Sequence, residues 1–159
     1  MSAPAASALL PMLAAERGAL IGFVTLLEQE QALLTAGVQT DLLLELSEQK
    51  SNSAINLNRL AESRRSLLQK EIPNPDAESI QTWLSSHCRD GLAAWQDILA
   101  LAQRAKQLNQ VNGELIQMKL RHNQQALTVL INAVNQAGVY GRDGKPELSP
   151  GSGRSLGSG

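Results

Sequence analysis

The stretch Leu108–Val134, LNQVNGELIQMKLRHNQQALTVLINAV, is helical in pattern but apolar around too much of its circumference. At about 100° per residue, Leu108, Val111, Leu115, Met118, His122, Ala126 and Val129 fall on one side. Ile116, Leu120, Leu127, Ile131 and Val134 fall on a second side, about a third of a turn away. Glu114, Gln117, Arg121, Gln124, Gln125 and Asn132 occupy what remains. A surface helix needs one apolar stripe to join its core. A second stripe has two explanations. Either the helix is central and covered on both sides by its own neighbours, or one side meets another molecule.

The rest of the chain predicts an all-α fold. Leu, Ala, Gln, Glu and Ser dominate, aromatic residues make up 3% of the 159 residues, and no stretch alternates apolar and polar residues as a half-buried strand would. A first helix is expected from about Ser7 to Thr35. In it Leu13, Leu20, Leu27 and Leu34 recur every heptad, with Leu10 and Val24 between, the seam of a coiled-coil hairpin. Gly37 stands where a C-cap belongs, and Thr40-Asp41 can open the next helix.

The second helix, about Asp41 to Lys70, carries Leu42, Leu43, Leu46, Leu57, Leu60, Leu67 and Leu68, with Gln49, Lys50 and Ser53 weakening the centre of its stripe. Arg64 and Arg65 read as a solvated end facing the negative pole of the helix dipole. Pro73 and Pro75 stop this helix. The third is expected from about Asp76 to Gln136, capped by Asp76 or Ser79, with Gly91 as the place for a break or kink. If continuous it would be about 90 Å long against about 45 Å for each of the others. The expectation is therefore an elongated antiparallel hairpin or bundle of three long helices with coiled-coil-like packing. The helical domain spans residues 1–137. Residues 138–159, rich in Gly and Ser, form a disordered tail.

Composition also narrows function. Fourteen basic and 15 acidic residues give a formal net charge of −1, without the basic face that nucleic acid requires. No Lys/Arg cluster suits an anionic membrane, and the N-terminus lacks the charge pattern of a signal peptide. No apolar run is expected to span a bilayer. A single Cys88 excludes an internal disulfide and reads as a small buried apolar residue. These features point to a soluble cytoplasmic protein.

His87 and His122 lack partners at metal-ligand spacing. His87 reads as packing one turn from Trp83, and His122 as a partly buried, hydrogen-bonded side chain. Glu28, Glu30, Glu45 and Glu48 read as solvated helix faces. No phosphate loop, serine elbow or nucleophile–base pair is legible. No catalytic residue, cofactor or metal site is expected, and the function should be protein binding.

Several short motifs point further. Trp95-Gln96, LNQ at Leu108–Gln110, Asn112-Gly113, NQQAL at Asn123–Leu127 and YGRDG at Tyr140–Gly144 follow one another in order. With LLEQEQALL and LSEQKS upstream, the chain from about residue 10 to 144 resembles the FlgN family of flagellar type III export chaperones. The resemblance implies a small helical cytoplasmic protein. Such a protein would hold the C-terminal segment of hook–filament junction (hook-associated) proteins and deliver it to the cytoplasmic domain of the export gate. It implies cargo binding by the C-terminal part, here Leu108, Val111, Leu115, Met118, His122, Ala126 and Val129. It also implies that Tyr140 docks the loaded complex on the gate. From residue type alone, Tyr140 reads as a lone exposed aromatic in a turn made by Gly141 and Asp143-Gly144, and the resemblance reverses that. The other reading of the doubled stripe is self-association, giving a coiled-coil adaptor homodimer with no export role.

Overall fold

The computed structural model describes residues 3–37 and 40–137. Among these it contains helices and no strand. The helices are α1 (Ala3–Ala36), α2 (Thr40–Leu68), α3 (Ala77–His87) and α4 (Leu92–Gln136), with a 3-10 turn at Arg89–Gly91 between the last two. The expected third helix is thus two helices. Cys88 leaves helical geometry at φ −153° and ψ 71°. Gly91 is buried where a Cβ would stand 3.1 Å from Leu13 Cδ1 and 3.2 Å from Leu84 Cδ2. The chain breaks so that its backbone can approach α1 closely, which only glycine allows without displacing its neighbours. The tail, residues 138–159, lies outside the described residues.

Two compact units are present, Met1–Glu114 and Leu115–Gly159. In the first, α1 and α2 pair through a turn in which Gly37 adopts φ 70°, the left-handed C-cap. They run antiparallel: Lys50 meets Glu30 near the turn, and Arg64 meets Glu16 an equal number of residues further along each helix. The first part of α4 runs alongside α1 in the same direction, since Arg17 meets Asp97 and Glu28 meets Arg104 further on.

The heptad leucines of α1 do what their spacing requires. Leu13, Leu20, Val24, Leu27 and Leu34 are buried, together with Leu9. Leu9, Leu13 and Leu20 pack with Leu68, Ile72, Ile80, Leu84, Trp95 and Ile98; Val24 and Leu27 pack with Ala105 and Leu108. Each such leucine stabilises the fold by about 1.5–3 kcal/mol. Helix α1 continues through Pro11 and starts earlier than expected.

By length and composition α1 is apolar enough to cross a membrane, which corrects the sequence expectation. In the fold, however, its apolar stripe is core, and Glu16 and Glu30 lie buried on it in ion pairs.

Helix α3 begins where Asp76 accepts a hydrogen bond from the Ser79 amide at 2.8 Å, a side-chain N-cap. At its far end the His87 ring stacks on Trp83 with centroids 5.1 Å apart, as the sequence suggested. Cys88 is buried.

Candidate partner-binding surface

Within the first unit, α4 buries a heptad seam. Trp95, Ile98, Ala105, Leu108 and Asn112 are buried, with Leu101 partly so. Two polar links tie this seam to both other long helices. In one, Arg64 Nε and Nη2 donate to the two Glu16 carboxylate oxygens at 2.8 and 3.1 Å, and the guanidinium lies 4.9 Å over the Trp95 ring. Trp95 Nε1 in turn donates to the Ala77 carbonyl at 3.3 Å, holding the start of α3.

In the other link, Lys50 Nζ donates to both oxygens of Glu30. Asn112 Nδ2, on a residue only 1% exposed, donates to Glu30 Oε1 and to the Leu27 carbonyl, each at 2.9 Å. The Asn112 Oδ1 has no protein partner among the described residues. Arg64 and Glu30, expected on solvated faces, are therefore interior links. Lys50 interrupts the α2 stripe because it meets Glu30.

Helix α1 ends at Ala36, less than two turns beyond Glu30. In the second unit the described residues are the C-terminal part of α4 and Ala137, and among these there is no second helix. Its large side chains are open to solvent. Val129 is 67% exposed, Leu130 61%, Leu127 56% and Met118 55%, and Ile116, Leu120 and Ile131 are exposed as well.

Of the cargo-binding residues expected from sequence, Val111, Met118, His122, Ala126 and Val129 are exposed and Leu115 is half-buried. Leu108 is not available, because it packs on Val24 and Leu27 in the core. His122 is exposed rather than partly buried. Tyr140 lies outside the described residues. Leu130 belongs to neither stripe, because at about 100° per residue it falls between them. Among the described residues, no group of three His, Cys, Asp or Glu side chains could share a metal ion.

The model of the FlgN protein family matches residues 1–147. The chain belongs to the FlgN family. It is 34% identical over 134 residues to the flagella synthesis protein FlgN of Yersinia enterocolitica, covering 84% of this chain and 85% of the relative. It is 32% identical over 133 residues to that of Escherichia coli, covering 83% and 85%. It is 28% identical over 134 residues to that of Salmonella typhimurium, again covering 83% and 85%. No solved structure matches the chain. In this FlgN-family chain, the family-like Trp95 and Asn112 are both structural links of the first unit, while Asn123–Leu127 stands in the exposed part of α4.

Proposed function

We propose that this chain acts in flagellum biogenesis as a cytoplasmic export chaperone. The C-terminal part of α4 holds the C-terminal helical segment of a hook–filament junction protein, hides its apolar face until export, and presents it to the export gate. One observation carries the reading: most of the apolar side chains of α4 beyond Val111 are solvent-exposed in a chain of a flagella synthesis family. A contiguous exposed apolar surface marks an interaction site, and a lone amphipathic helix is suited to taking another helix against it.

The contact residues proposed are Val111, Leu115, Met118, His122, Ala126 and Val129. Met118 adapts to an imperfectly matched surface. The neutral Gln and Asn rim contributes little net energy, which suits a client that must later be released. Replacing Leu115 and Met118 together by Asp is expected to abolish capture of a junction-protein C-terminal segment while far-ultraviolet circular dichroism stays helical. Unchanged capture by that double variant would remove this face from the mechanism.

Tyr140 is proposed to help dock the loaded complex on the gate. Tyr140→Ala should keep cargo capture and weaken gate binding of the loaded complex; equal gate binding by both forms refutes the role.

The second reading, a self-associating adaptor, draws on the same exposed surface. Sedimentation at micromolar concentration separates the two. A tight homodimer burying α4 favours the adaptor, and a monomer that captures the junction-protein segment favours the chaperone.

A further inference from the structure

The buried seam of α4 in the first unit and the exposed apolar side chains of the second do not share one heptad phase. Ile98, Leu101, Ala105, Leu108 and Asn112 alternate in steps of three and four, and Leu115 is the next position of that series. Continued, the series meets Lys119, His122 and Ala126, and its apolar character fades. A second series begins one residue later. Ile116, Leu120, Asn123, Leu127, Leu130 and Val134 follow in steps of four and three without interruption. At about 100° per residue these six lie within an arc of about 80°, centred about 40° from the centre of the buried seam. The change of phase falls at the boundary between the two units, Glu114/Leu115. All six are helical, and none is buried.

A seam of this spacing is what one helix offers to another in knobs-into-holes packing, and a single amide within it selects register and partner at some cost in affinity. The charge on the segment indicates the kind of partner. Residues 115–136 contain Lys119 and Arg121 and not one Asp or Glu. Lys119 stands beside the seam, in the position that pairs with a flanking residue of the facing helix. A second copy would gather four cations and no carboxylate along one short coil. A helix with carboxylates beside its apolar stripe meets these cations favourably and associates faster for it.

We propose that Ile116, Leu120, Asn123, Leu127, Leu130 and Val134 form a docking seam, separate from the Val111–Val129 stripe, for an acid-flanked amphipathic helix of a partner protein. Asn123 acts as its register-setting residue. The inference rests on the reading of the C-terminal part of α4 as a partner-binding helix, but its test does not depend on a junction protein being the client.

The probe is a fluorescein-labelled synthetic peptide of about four heptads, with Leu and Ile in the seam, one Asn, and Glu at the flanking positions. A companion peptide carries Lys at those positions. Binding to the full chain is followed by fluorescence anisotropy at about 0.05 M and about 0.5 M salt. The Glu peptide is expected to bind at least about tenfold tighter than the Lys peptide at low salt, with the gap narrowing at high salt. Leu127→Asp with Leu130→Asp should abolish that binding, and Leu115→Gln with Met118→Gln, which keeps the charge of the segment, should leave it. Asn123→Leu should bind a probe whose Asn is replaced by Leu more tightly than the parent chain does.

Thermal unfolding of the first unit is the folding control, since these side chains are exposed. Leu127→Gln with Leu130→Gln replaces the Asp pair should that transition move. Equal affinity for the two peptides overturns the proposal, as does binding indifferent to the Leu127/Leu130 changes, or no binding. A homodimer dissolved by the same changes also overturns it by naming a second copy as the occupant. Capture of a junction-protein segment that fails while the Glu peptide still binds this seam would refute the client and leave the seam.

Discussion

Arg64 shows how much a single side chain can be misread from its neighbours in sequence. Beside Arg65 near the end of α2 it resembles a solvated helix terminus, and Arg65 is exposed as expected. Arg64 instead holds the buried Glu16 and covers Trp95, so three helices converge on one guanidinium. Removing one member of such a pair leaves a desolvated charge. Glu16→Ala is therefore expected to cost about 3–5 kcal/mol in urea denaturation. Replacing both partners by apolar residues, Glu16→Leu with Arg64→Met, should recover most of the loss.

Asp76 is a milder case. The Ser79 backbone amide, then the Ser79 hydroxyl and the Glu78 amide, hold its carboxyl below the usual carboxylate range, against a small opposing effect of burial. Because the folded value is depressed, the cap's contribution is present above the unfolded carboxylate's pKa and fades as pH falls through the folded one. Asp76→Ala should lower the melting temperature at neutral pH and differ progressively less from the parent in acid, as thermal scans across pH would record. At Gly91 the Cβ of alanine meets only the ends of leucine side chains, so Gly91→Ala should cost about 1 kcal/mol in the same denaturation assay.

At the scale of elements, the helix ends were legible and the break was half legible. The C-cap at Gly37, the N-cap at Asp76 and the prolines that follow α2 act locally, so short sequence carries them. Gly91 marks the place of the break, but the break exists because Leu13, Leu84 and Leu10 crowd that backbone, and no local pattern contains them.

Asn112 is the comparable case on α4. Its family-like motif was visible, whereas its burial against Glu30 and the Leu27 carbonyl was not. A buried amide with one unpartnered oxygen stabilises little and specifies much. Asn112→Leu is expected to hold or raise the melting temperature. It should also loosen the alignment of α4 against α1, seen as faster amide hydrogen exchange around Val24–Glu30 with no loss of global stability. Slower exchange there, or a large loss of stability, would contradict a register role.

For the whole molecule, the division at Glu114/Leu115 separates a packed unit from the exposed part of α4. The first contains the ion pairs, both tryptophans and the leucine seam of α1. A chain ending at Glu114 is expected to keep cooperative unfolding in urea, with a midpoint close to that of the full chain, and to lose capture of the junction-protein segment entirely. Retained capture by the shortened chain would move the binding surface onto α1 or α2.

Helix content, the pairing of α1 with α2 and the excess apolar surface of the last helix follow from periodicity and capping, properties of residues near one another along the chain. Which parts of that surface are open, and which charged residues became interior links, depended on what lies opposite each side chain. Leu108 and Leu115 share a helix face at heptad spacing, yet one is core and the other half-exposed. Leu108 packs on Val24 and Leu27 within the first unit, whereas the described residues of the second unit hold no other helix to lie opposite Leu115. Periodicity marks a face as apolar; the length and placement of neighbouring helices determine whether water is excluded from it.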